Sequence, residues 1–153
     1  MAQNEPAPVF ETVRAQTLPV DENTLRGFVS QQVAGANGDY VSRFDVRIVS
    51  LDVLTQVAPC RRAEPFVASG ARLWGRASVG VRCVDGATWT VMVPVAVTAW
   101  GRAVVAAAPL AAGTVLSPQD LREGEIELTR ESAGVTRDAQ ALAGRTLMRP
   151  VQP

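Results

Sequence analysis

Hydrophobic and polar positions alternate most regularly over residues 71–100, ARLWGRASVGVRCVDGATWTVMVPVAVTAW. Leu73, Ala77, Val79, Val81 and Cys83 share one parity with Gly75, and Trp74, Arg76, Ser78 and Arg82 hold the other. After Asp85-Gly86, Trp89, Val91, Val93, Val95, Val97 and Ala99 again share a parity, against Thr88, Thr90, Met92, Pro94, Ala96 and Thr98. Period-two alternation of this length predicts two half-buried strands. A two-residue turn at Asp85-Gly86 would set the apolar parity of one strand on the polar parity of the other, a slip that burial forbids. A three-residue loop, Val84-Asp85-Gly86, restores the match and places Cys83 opposite Ala87, Val81 opposite Trp89 and Arg76 opposite Pro94. Pro94 cannot donate to a ladder, so it is expected at a sheet edge or bulge.

The same reading extends along the chain. Residues 1–17 form a loose tail with at most a short helix in PVFETVRAQ. Asp21 fits a helix N-cap, with Val20 and Leu25 as a hydrophobic staple. Leu25, Phe28, Val29 and Val33 then share a helical face, and Gly35 is expected to stop the helix. Residues 43–54 alternate as a strand with a phase slip, read as a bulge, near Val49-Ser50. Residues 55–71 read as a long crossing loop. A helix on a three-stranded antiparallel sheet therefore fills residues 18–101.

Near Trp100-Gly101-Arg102 the composition changes, and residues 102–153 read as a second module. A short strand at 104–108 ends at Pro109, and Ser117-Pro118 with Asp120 starts one helical turn. Glu125 to Leu128 is a further strand, Asp138 to Ala143 a second short helix ended by Gly144, and 145–149 a last strand candidate. A weak repeat relates 104–113 to 145–153. The fold class is α+β, mostly β.

Composition narrows the chemistry. The 153 residues carry 15 basic and 15 acidic side chains, for a formal net charge of zero, and every basic residue is Arg. No basic tract points to nucleic acid or to an anionic membrane, and no apolar run approaches the ~20 residues of a spanning helix. With no His, triads built on it, most zinc sites and the usual base near neutral pH are excluded. No glycine-rich phosphate loop is present. Glu123, Glu125 and Glu127 share a parity, but no Ca²⁺-loop residues or sugar-stacking aromatics accompany them, so a solvated strand face is expected. No catalytic or metal-ligating set stands out among these residues.

Cys60 and Cys83 are an even pair with no CxxC spacing, either a structural disulfide or two buried thiols. A strand end stapled to a crossing loop suits the disulfide, worth roughly 3 kcal/mol in the chain-entropy model. It favours an oxidising compartment.

The run VVAAAPLAAGTVLSPQDL resembles the opening of a SAF domain, a small β-clip module. Joined to PCRRAEPF, RLWGRASVGVRC and WTVMVPVAV upstream, it resembles the flagellar basal-body P-ring formation chaperone family over about residues 20–153. That resemblance implies a periplasmic protein that binds the P-ring subunit non-covalently during flagellum assembly, with no catalysis, no metal and no cofactor. It implies a Sec leader, which does not precede this N-terminus, and further C-terminal strands beyond Pro153. On that reading the β-clip is incomplete, and its unfinished edges invite weak self-association. A second reading is a carbohydrate- or polymer-binding SAF module of another envelope machine such as a pilus. A third, an accessory domain of an enzyme, would need a catalytic barrel for which 153 residues leave no room.

The partner surface expected from the residues is the outer parity of the hairpin. Trp74, Arg76 and Met92 there combine an aromatic, a guanidinium and a thioether, types enriched where proteins meet. The alternative is that this face is covered by residues 55–71 or by the second module. The strand edge beginning at Val104 is the next candidate.

Overall fold

The computed structural model describes residues 18–131 and 134–153. The tail 1–17, with the short helix expected in PVFETVRAQ, lies outside the described residues. Asp21 opens helix α1, Glu22–Asn37, and its carboxylate accepts the Thr24 N–H at 2.7 Å. That bond holds the Asp21 carboxyl below its ordinary range. Leu25, Val29 and Val33, spaced one turn apart, are buried, and Phe28 packs beside them. The helix runs past Gly35 to Asn37. Gly35 costs only about 1 kcal/mol inside a helix flanked by alanines, whereas Gly38, at φ 54°, adopts the left-handed backbone that ends it.

The helix lies on a five-stranded antiparallel sheet. Its strands are β1 (Arg43–Ile48), β2 (Arg62–Phe66), β3 (Gly75–Asp85), β4 (Thr90–Ala106) and β5 (Leu121–Glu127). The order is β1-β4-β3-β2, with β5 also paired to β4. Val46, Ile48, Val79, Val81, Val93, Val95 and Val97 join Leu25, Val29 and Val33 in one core. Each such side chain contributes about 1.5–3 kcal/mol by leaving water.

Several expectations change. The crossing loop contains a strand, β2, which pairs with β3 as Glu64↔Arg82 and Phe66↔Gly80, so the first sheet is not three-stranded. The hairpin keeps the expected parity but shifts by two residues: Val81 faces Val91, Arg76 faces Ala96, and Cys83 accepts the place opposite Trp89. The cause is β2. Arg61 donates from its N–H to the Asp85 carbonyl at 2.8 Å and its guanidinium pairs with the Asp85 carboxylate at 2.9 Å, holding the end of β3 in the sheet. Gly86, at φ 105°, passes close to Arg61, and the connection then runs on to Trp89, whose indole donates to Ala58 O at 2.9 Å.

The phase slip after Ile48 is a chain turn and not a bulge. Val49 N–H still reaches Pro94 O at 2.9 Å, and a 3₁₀ turn at Asp52–Thr55 then buries Leu54. Pro94 lies inside β4, neither at an edge nor in a bulge, opposite Ser78. Its carbonyl accepts from Val49 N–H just past the end of β1, so the reciprocal bond that proline cannot make is lost only where β1 has already ended.

Finally, the strand at 104–108 is the last part of β4, which runs unbroken from Thr90 to Ala106. Gly101 sits mid-strand because a Cβ there would run into Tyr40 O and the Leu128 side chain. The strand expected at Glu125 begins earlier, at Leu121, and pairs with β4 from Trp100↔Glu127 to Ala106↔Leu121.

Apart from β5, the chain after Ala106 is held mainly by single backbone bonds. Ser117 and Asp120 form the expected capping box on a 3₁₀ turn at Pro118–Asp120. Asp138 caps a second one at Ala139–Ala141. The candidate strand 145–149 reduces to isolated bridges, Val115↔Thr146 and Leu110↔Val151.

Candidate partner-binding surface

The sheet face opposite α1 carries the even positions of β3 and β4 and the odd positions of β1. Pairing fixes its rows. Arg47 and Arg76 both face Ala96, one from each side. Met92 faces Gly80, and Gly80 also faces Phe66. Gly80 is the second glycine whose lack of a side chain matters, since a Cβ would strike the Phe66 ring lying over it. The Arg82 guanidinium stands 4.7 Å from that ring centroid. Met92 is 41% exposed, a large apolar side chain left open on this face.

At the other end Arg43 covers Trp100 at 3.9 Å and pairs with Glu125 at 3.2 Å. Ser42 Oγ donates to Glu125 at 2.9 Å, and this bond, more than Arg43, lowers the Glu125 carboxyl below its ordinary value. Glu123 pairs with Arg102 and Glu127 with Arg130, so the acidic parity of β5 serves structural ion pairs. Among the described residues no group of three or more acidic or Cys side chains is placed to hold a metal ion. No helix among them is long and apolar enough to cross a membrane.

The four sequence candidates do not form one patch. Arg76 and Met92 share the outer sheet face, exposed, about 13 Å apart along the strands at ~3.3 Å per residue. Trp74 precedes β3 and is half-buried beneath the Arg72 guanidinium, 4.1 Å from its ring centroid. It lines a separate cleft of about 280 Å³ with Tyr40, Leu128 and Val135. Val104 is not a free edge. It sits within β4 opposite Glu123, and its N–H donates to Thr136 O at 2.8 Å.

Sequence reasoning placed Arg82 on the outer parity but did not bring Arg47 and Phe66 to that face. Gly80 amid a valine-rich strand was the available signal of a close approach. Cys60 and Cys83 are joined by a disulfide with Cα atoms 6.0 Å apart, tying the lead-in of β2 to the end of β3.

A helix-backed antiparallel sheet whose central strand continues into a small β-rich module defines a two-part α+β architecture. Residues 28–99 match the FlgA N-terminal domain and residues 101–153 match the SAF domain. The two matches follow one another along the chain and make it similar to the solved FlgA structures. It is similar to Salmonella FlgA in closed form at 24% identity and a TM-score of 0.56, covering 84% of this chain and 61% of that one. Against the open form the identity is 25% and the TM-score 0.52, covering 85% and 60%. The chain thus spans about three fifths of the length of these structures. No curated protein matches it by sequence.

Proposed function

We propose that this protein is an assembly chaperone of the bacterial periplasm that binds the flagellar P-ring subunit non-covalently, without cofactor or chemistry. The observation that carries the reading is the order of the two domain matches along one chain. A SAF domain alone would also suit a carbohydrate-binding module of a pilus machine, but the FlgA N-terminal domain ahead of it does not favour that reading. The disulfide accords with an oxidising compartment. The contact surface in this reading is the outer sheet face around Arg76 and Met92, where a guanidinium and an exposed thioether stand on a rigid sheet.

The test is direct binding of the purified P-ring subunit, with swimming restored in a deletion strain by the full-length gene. Met92→Ala and Arg76→Glu are expected to weaken binding and slow swimming while circular dichroism stays unchanged. Absence of any binding by the unaltered protein would overturn the reading.

A further inference from the structure

The outer sheet face carries two arginines that, among the described residues, have no ion-pair partner. Arg47 on β1 and Arg76 on β3 flank Ala96 of β4 in a single row. Neighbouring strands lie about 4.8 Å apart, so the two Cα atoms are about 10 Å from each other, within the combined reach of two arginine side chains. Between them stands only the methyl group of Ala96, half-buried and too short to separate them.

Both arginines are exposed, and among the described residues neither makes an ion pair. This contrasts with Arg43, Arg61 and Arg102, each of which has its own carboxylate on a neighbouring segment. Asp45 is the acidic residue next to Arg47 on the same face of β1, yet it pairs with neither arginine. Like charges across a sheet row destabilise it. The row therefore holds a repulsion that a carboxylate placed above Ala96 would relieve, and guanidinium forks suit a carboxylate in paired geometry.

We infer that the Arg47–Ala96–Arg76 row is a clamp for an acidic side chain of the subunit bound in the proposed function, on which this inference rests. Two features choose a protein carboxylate over a polyanion. The row runs into apolar surface at Pro94 and Met92, of the kind a protein segment covers. The whole chain has no net charge, and Asp45, Glu64 and Glu125 on or beside the same face repel an extended run of phosphates. The bound segment is thus acidic at one position and apolar beside it, seated across β1, β4 and β3.

The experiment measures the affinity of the purified P-ring subunit for the unaltered protein, for Arg47→Glu/Arg76→Glu, for Arg47→Lys/Arg76→Lys and for Arg149→Glu. Arg149 is an exposed arginine without an ion pair, outside the sheet, and controls for general charge. The expected result is about thirtyfold weaker binding for the double reversal, much smaller loss for the lysine pair, and binding within about twofold for Arg149→Glu. The salt dependence of the double reversal should also be shallower. Binding that persists within about tenfold in the double reversal, or falls equally in Arg149→Glu, overturns the clamp and leaves the subunit reading standing. No binding by the unaltered protein overturns both. Circular dichroism of each variant separates these outcomes from misfolding.

Discussion

Helix α1 with β1, β3 and the first part of β4, and the chain after Ala106, are built on different physics. In the first region Leu25, Val29, Val33, Val79, Val81, Val93, Val95 and Val97 are almost wholly out of water and touch one another as one cluster. After Ala106 the buried apolar residues are Leu116 and Leu128 alone among the described residues. There the chain is held by backbone bonds such as Leu116 N–H to Arg145 O at 2.8 Å and Leu147 N–H to Thr114 O at 2.9 Å. A backbone bond nets about 1 kcal/mol, and only when its geometry is kept. Burial is non-directional and tolerates small movements; isolated bridges are not and do not. The first region therefore carries its stability in itself, and the second borrows order from β4.

The sharpest way to break this comparison is to divide the chain after Ala107. Residues 1–107 are expected to melt cooperatively by circular dichroism, and residues 108–153 to show no cooperative transition. A cooperative melt of the second fragment as a monomer would show that its bonds suffice without β4. Within the intact chain, Leu25→Ala should cost about 3–5 kcal/mol in urea unfolding, and Leu116→Ala about 2 kcal/mol, because looser surroundings close over the gap. Equal losses at the two sites would end the distinction.

The Cys60–Cys83 bridge belongs to the first region but acts on the unfolded chain. Cys60→Ser, or reduction of the unaltered protein, should lower stability by about 3 kcal/mol. Thiol titration of unreduced, denatured protein should find no free thiol.

The smallest effect lies at Glu125, the ion pair that joins β5 to β1. Its folded carboxyl is depressed by the Ser42 bond, so its contribution is present above the ordinary value of 4.5 and is lost as pH falls through the lower folded value. Glu125→Gln should therefore be less stable than the unaltered protein near neutral pH, with the gap closing on acidification below 4.5. A gap that widens in acid would reverse the assignment.

The same contrast explains what could be read from the residues. Parity from Val79 to Val97 survived a two-residue error in register because burial selects the face, and only a contact elsewhere selects the offset. That contact was Arg61 with Asp85, at the lead-in to a strand, RAEPF, whose Pro65 and charges disguised it as loop. Caps were legible at Asp21 and at Ser117–Asp120, where side chain and backbone bond within four residues. Gly101 marks the change of module in the sequence, but its second role, as a packing glycine, was hidden because the cause, Tyr40 O, lies far away in sequence. The outer-face row was hidden too, since Arg47 and Arg76 are ordinary polar positions until β1 and β3 are both set beside Ala96. Trp74 and Val104 are set apart from that row by the turn before β3 and by β5.

The single long strand β4 also fixes an order of events. β1 has β4 as its strand neighbour, and β3 and β5 flank it as well, so the sheet has no centre until residues 90–106 exist. As the chain emerges from its N-terminus, α1 and β1 wait with Leu25, Val29, Val46 and Ile48 uncovered for more than forty residues of further growth, while β2 and β3 can already meet. Non-local pairing of this kind slows folding and lengthens the time that apolar surface stays open to neighbouring chains. The arrival of β4 closes that window in one step, because its valines cover both earlier elements at once.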